Sequence, residues 1–222
     1  MTVVLLRLFA RWRVEGLEHL PSGPLIIASN HLSLVDPPLL VASLTRRVRF
    51  IAKREAFFNP LMAPLLLAGQ SIPLNRGAVD RRALATAEAH IKAGGALALF
   101  PEGQRSRNGQ LQPGKAGVGF LALRTGAPLL PVAITGTERL RWPWQALLRP
   151  AVTVRFGAPF SVGGPVERPE RQSAQARTDE IMEHIAALLP EPRRGAYGGL
   201  VDGARTATPL GLAYEQGTED AS

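Results

Sequence analysis

The chain has 222 residues, no cysteine and a formal net charge of +8, from 26 Lys and Arg against 18 Asp and Glu. That length suits one domain with a real hydrophobic core, and the missing thiol excludes disulfide frameworks, cysteine nucleophiles and thiolate metal sites. Lysine occurs only at Lys53, Lys92 and Lys115, so arginine carries most of the positive charge, which suits anionic partners such as phospholipid headgroups, nucleic acid or a phosphorylated substrate.

The first twelve residues, MTVVLLRLFARW, set Val3, Leu5, Leu6 and Phe9 near one side of a helix, with Arg7 and Arg11 able to meet anionic headgroups. The expectation for 1–16 is an interfacial amphipathic segment, the alternative being a helix packed on the core. No small-residue cleavage site follows, so the stretch is a poor signal peptide. From Pro24 onward short apolar runs alternate with helical patterns. Strands are expected over 25–29, 49–52, 71–74, 96–100, 129–134 and 151–156, with helices over 37–45, 60–68, 80–93 and 116–125. That alternation predicts an α/β fold: a mostly parallel central sheet with flanking helices, in a single domain. A last amphipathic helix is expected over 173–189, burying Ile181, Ile185 and Leu188 and stopped by Pro190 and Pro192. Residues 191–222 lack periodicity and read as a disordered tail, which leaves 17–190 as the folded domain. No apolar stretch approaches the ~18–20 residues of a spanning helix, so no transmembrane span is expected.

Two segments can carry chemistry. In Ser29-Asn30-His31-Leu32-Ser33-Leu34-Val35-Asp36-Pro37, His31 and Asp36 sit where the first apolar strand gives way to a helix, the place where α/β sheets put their sites. On a strand the two side chains would point to opposite faces, and on a helix they would lie about 140° apart, so only a turn brings them together. Asp36 before Pro37 and Pro38 is a good helix N-cap. In that turn the carboxylate can hold one imidazole nitrogen and leave the other to take a proton. A capping aspartate beside an ordinary loop histidine is the structural alternative. The second segment, Phe100-Pro101-Glu102-Gly103-Gln104-Arg105-Ser106-Arg107, again leaves a strand for a loop. Its guanidinium groups suit an anion-binding loop.

Together these segments resemble the NHxxxxD and FPEGxxS blocks of the PlsC-type glycerolipid acyltransferases, the family of 1-acylglycerol-3-phosphate and glycerol-3-phosphate acyltransferases. Gly69-Gln70-Ser71-Ile72-Pro73-Leu74-Asn75-Arg76-Gly77 and Leu129-Leu130-Pro131-Val132-Ala133-Ile134 are similar to two further blocks, in the right order, and the resemblance covers about residues 17–160. It implies transfer of a fatty acyl group from acyl-CoA or acyl carrier protein to the hydroxyl of a phosphate-bearing lysolipid, with His31 as general base and Asp36 orienting it. Arg76 and Arg105 match phosphate-holding arginines, Lys53 matches a further basic position, and Glu102 and Gly103 shape their loop. No cofactor and no metal are implied. Gln104 stands where threonine is more usual, a departure that bears on acceptor preference. The resemblance and the basic charge together predict peripheral attachment to an anionic membrane surface, on the cytoplasmic side.

Other readings fare worse. Gly109 to Ala116 nearly matches a P-loop, but Ala116 replaces the metal-binding hydroxyl. Ser33 lacks a Gly-x-Ser-x-Gly elbow and is expected only to stabilise a turn with its hydroxyl. His19, His90 and His184 show no ligand spacing, and His90 is expected in solvent. Few aromatics and no recognition motif argue against nucleic acid. The alternatives that remain are an acyltransferase for another lysolipid or polar lipid, and a catalytically silent basic membrane-binding module.

Overall fold

The computed structural model describes residues 11–60, 62–75, 80–140, 145 and 148–201. Its strands are β1 (Arg11–Glu15), β2 (Leu25–Ser29), β3 (Arg49–Lys53), β4 (Ile72–Leu74), β5 (Ala96–Leu99), β6 (Leu129–Thr135) and β7 (Ala151–Phe156). Its α-helices are α1 (Asp36–Ser43), α2 (Ala63–Ala68), α3 (Arg81–Lys92), α4 (Gly117–Thr125), α5 (Arg171–Leu188) and α6 (Gly198–Val201). The strands form one sheet in the order β1-β7-β6-β2-β5-β3-β4. Every pairing is parallel except β6 with β7, so the α/β sheet is mixed but mostly parallel.

Central β2, Leu-Ile-Ile-Ala-Ser, is buried on both faces. Leu25 and Ile27 enter one core cluster, while Ile26 and Ala28 enter the other, as the two-residue period of a strand dictates. Helices α3, α4 and α5 cover the second cluster. Leu39 and Leu40 of α1 and Leu66 of α2 cover the first. Gly119 lets α4 and α5 approach closely, since a Cβ there would fall 1.9 Å from the Ala174 carbonyl oxygen; its N–H donates to Thr178 Oγ1 at 3.2 Å.

Four expectations need correction. Arg11–Glu15 is not part of an amphipathic helix but a strand, paired with β7 from Arg11↔Ala151 to Glu15↔Arg155. Arg-Trp-Arg-Val-Glu alternates polar and apolar with period two, and Trp12 and Val14 pack on the core; residues 1–10 lie outside the described residues. The helix expected over 60–68 is shorter: a 3-10 turn occupies Arg54–Phe58 and α2 starts at Ala63, with Pro64 in its first turn. Nor is 191–201 a tail. It forms two 3-10 turns, Glu191–Arg193 and Gly195–Tyr197, and then α6. Leu111 N–H donates to the Arg193 carbonyl at 2.8 Å, and Gly114 N–H donates to the buried Tyr197 hydroxyl at 3.2 Å. One aromatic in a Gly- and Arg-rich stretch thus anchors it, which composition alone conceals; residues 202–222 lie outside the described residues. Finally, His90 is not in solvent. Its Nε2 bonds to the Ala96 carbonyl at 3.1 Å, and burial lowers its pKa.

Candidate active site

The chain leaves β2 through Asn30, a buried amide following an apolar strand, which must find partners. It finds both on β6: Nδ2 donates to the Ile134 carbonyl at 2.9 Å, and Oδ1 accepts the Ile134 N–H at 2.7 Å. This reciprocal pair fixes where the next residue begins. His31 then turns toward α1, whose first residue is Asp36.

Asp36 does not cap α1, as expected from Pro37 and Pro38; Val35 holds the cap position, and no side chain bonds there. The fully buried Asp36 carboxylate instead reaches back over the preceding turn. Its Oδ2 meets His31 Nδ1 at 2.8 Å and accepts the N–H groups of Leu32 at 2.6 Å and Ser33 at 2.7 Å. The Ser33 group that serves the turn is therefore its backbone N–H. Oδ1 is buried with no hydrogen-bond partner among the described residues. An oxygen that takes two backbone N–H donors is an acceptor, so the imidazole donates from Nδ1 and keeps the Nε2 lone pair for a proton.

The loop after β5 closes around the same histidine. Phe100 stacks on the His31 ring, centroids 4.1 Å apart and planes within 19°. Glu102 Oε1 accepts the His31 N–H at 2.7 Å, and Oε2 accepts the Gln112 N–H at 3.0 Å. The His31 carbonyl accepts the Ser106 N–H at 2.8 Å. Burial pushes the Glu102 carboxyl up to about 7; the N–H bonds from His31 and Gln112 act against that rise, and the charge of Asp36 adds to it. Gly103 turns the loop with φ of 64°, and a Cβ there would stand 3.1 Å from the Lys115 side chain, so glycine meets both the dihedral and the space.

Of the residues expected to bind substrate, Glu102 spends both oxygens on backbone N–H groups and shapes the loop, with Gly103 beside it. Arg105 is exposed in that same loop, and Lys53 ends β3, the strand next to β5. Arg76 lies outside the described residues. A cleft of about 390 Å³ opens beside the histidine loop, walled by Leu32, Ser106, Arg107, Asn108, Glu138 and Arg193. Arg193 closes its far side with an ion pair to Glu138 Oε1 at 2.6 Å. The remaining histidines serve the fold: His184 stacks on Phe160, and His19 Nδ1 bonds to the Phe156 carbonyl at 3.2 Å. Sequence reasoning missed the supports Asn30, Phe100, Gln112 and Arg193. Signals existed for the first two: Asn30 is a polar side chain just past the apolar run Leu25–Ala28, and Phe100 opens the Phe-Pro-Glu-Gly segment.

A model of the family described as acyltransferase matches residues 11–135. Among curated relatives, the chain is 34% identical over 138 residues to chloroplastic 1-acyl-sn-glycerol-3-phosphate acyltransferase BAT2 of Brassica napus, covering 60% of this chain and 39% of the relative. It is 34% identical over 152 residues to the 1-acyl-sn-glycerol-3-phosphate acyltransferase of Cocos nucifera, covering 66% and 49%. The chain thus spans half or less of the length of these plant relatives. The crystal structure of the 1-acyl-sn-glycerophosphate acyltransferase PlsC from Thermotoga maritima superposes with a TM-score of 0.62 at 27% identity, over 81% of this chain and 74% of that one.

Proposed function

The chain belongs to the acyltransferase family, and from that premise we propose that it moves a fatty acyl group from the thioester of coenzyme A or acyl carrier protein to the free hydroxyl of a 1-acylglycerol-3-phosphate-like acceptor. The observation that carries this reading is the 2.8 Å contact between His31 Nδ1 and the buried Asp36 carboxylate. His31 Nε2 takes the proton of the acceptor hydroxyl as the oxygen attacks the thioester carbonyl, forming the C–O bond. The tetrahedral intermediate then collapses, the C–S bond breaks, and the departing thiolate recovers the proton from His31. Asp36 holds the ring and stabilises its charged form. A fixed base reduces the orientational cost of the attack, and the bonds around His31 supply that fixity.

Arg105 and Lys53, with Arg76, are the cations we assign to the acceptor phosphate, since guanidinium groups match phosphate oxygens in fork geometry. The acceptor is a lipid, so the reaction belongs at a membrane surface, and we place the chain peripherally on the cytoplasmic side with anionic lipid as its partner. Among the described residues no helix is long and apolar enough to cross a membrane.

The test is thiol release from palmitoyl-CoA by the purified chain in detergent, with and without lysophosphatidic acid, and with mass analysis of the lipid formed. Acceptor-dependent release with a diacyl product is expected. No release from either thioester carrier with any lysolipid would contradict the proposal.

A further inference from the structure

The two layers that cover the sheet differ in what they present outward. On the α3–α5 side the surface is polar and paired: Glu88 bonds Lys92 at 2.7 Å and Arg124 at 2.8 Å, and Arg177 bonds Glu180 at 2.8 Å. Among the described residues the other side is covered by α1, the 3-10 turn Arg54–Phe58 and α2, with Leu17, Leu20 and Leu140 packing on it from neighbouring segments. These elements are short, of 8, 5 and 6 residues, and each sets an inward apolar residue beside an outward one. Leu40 is buried and Val41 is 37% exposed; Phe57 packs on the core and Phe58 is 78% exposed; Leu66 is buried and Leu67 is 65% exposed. Leu34, in the turn between His31 and Asp36, is 40% exposed. Of the six large exposed apolar residues among the described ones, four therefore fall within residues 34–67 on one layer. Single exposed apolar residues are ordinary, but a cluster of them marks a contact surface.

Charge identifies the occupant. Residues 32–70 carry Arg46, Arg47, Arg49, Lys53 and Arg54 against Asp36 and Glu55, and Asp36 is buried beneath His31. Arg47 and Arg54 are exposed, Arg54 beside an exposed Glu55, while Arg46 donates to the Pro21 and Gly23 carbonyls and Arg49 to Gln70 Oε1. Exposed apolar residues on a segment with an excess of cations fit an anionic bilayer: side chains enter the acyl boundary while guanidinium groups meet phosphates. We propose that the face formed by α1, the turn 54–58 and α2 inserts into an anionic membrane surface through Phe58 and Leu67, with Val41 on the same layer and Leu34, in the turn between His31 and Asp36, at the active-site rim. The inference rests on the reading that the acceptor is a lipid, and it adds how the site is aimed: the His31 turn opens at the bilayer boundary, where a lysolipid presents its headgroup.

The absence of cysteine makes the test direct. Single variants Phe58→Cys, Leu67→Cys and, on the opposite layer, Ala176→Cys are labelled with an environment-sensitive fluorophore. Each is mixed with vesicles of equal phosphatidylglycerol and phosphatidylcholine, without substrates. Emission at Phe58→Cys and Leu67→Cys is expected to rise and shift to the blue and to be quenched by brominated acyl chains, while Ala176→Cys stays unchanged. The double variant Phe58→Ser/Leu67→Ser, which leaves the core intact, is expected to bind vesicles about 10- to 100-fold more weakly. No response at either position, an equal response at Ala176→Cys, or a response to protein concentration alone would overturn the proposal, the last pointing to a second copy of the chain on this face. Thiol release onto micellar lysolipid reads the acyltransferase function separately, so a failed insertion beside intact transfer would sink this inference alone.

Discussion

Around His31 the backbone N–H meets Glu102, the carbonyl accepts from Ser106, the ring stacks on Phe100 and Nδ1 meets Asp36. Arg105, one residue before Ser106 in the same loop, is exposed. The loop thus holds one functional group rigidly and leaves its neighbour at the end of a long side chain in water. A base that must be aligned with a developing bond gains from fixation, whereas a guanidinium that captures phosphate can order on binding. On the proposed assignment the contrast separates a group that governs turnover from one that governs affinity, and substitutions on either side should act differently.

The largest effect is expected at the fixed group. His31→Ala should lower kcat about 10²- to 10⁴-fold, the usual contribution of a general base, and should lower the melting temperature as the buried Asp36 carboxylate loses a donor and Phe100 its stacking partner; a steady-state assay well below the variant's melting point, beside a thermal melt, checks both. Asn30→Ala strips partners from the buried N–H and carbonyl of Ile134 and should cost about 4 kcal/mol of stability, at a few kcal/mol per orphaned group, measurable by urea unfolding.

Glu102 gives a pH signature. Its pKa rises from 4.5 to about 7 on folding, so the folded state binds the extra proton. That contribution is fully present below the unfolded value and is lost as pH climbs through the folded one. Relative to Glu102→Gln, the native chain should lose roughly 3 kcal/mol of stability between about pH 4.5 and pH 7. Urea midpoints on both sides of that window, compared between the two proteins, would reveal it.

On the exposed side, Arg105→Ala should raise the acceptor KM about 10- to 100-fold, as loss of a charge-assisted bond implies, with kcat little changed. The smallest effect belongs to the far wall of the cleft. Arg193→Ala removes the partly exposed pair with Glu138 and should cost about 1 kcal/mol, visible as a modest fall in melting temperature.

Much of this contrast was legible in the sequence because it is local. The strands β2, β5 and β6 are short apolar runs, and the spacing of His31 and Asp36 admits a contact only through a turn. What was not legible depends on distant partners. Asn30 bonds to a residue 104 positions away, and nothing near it names Ile134. The antiparallel direction of β7 is set by pairing with β6, since its own alternating residues would serve either direction. Arg-Trp-Arg-Val-Glu carried a strand period but adjoins an apolar stretch that suggested a helix. Tyr197 looked like one aromatic in a polar tail because the groups it anchors, Gly114 and the loop before it, lie far back in the chain. The stack of Phe100 on His31 likewise depends on β2 and β5 being neighbours in the sheet.

The most direct measurement is a pair of acceptor saturation curves for thiol release, one for His31→Ala and one for Arg105→Ala, against the native chain. Collapse of kcat in the first variant, and a raised KM with preserved kcat in the second, is the expected result. A His31→Ala protein that still turns over at the native rate would contradict the assignment of the base.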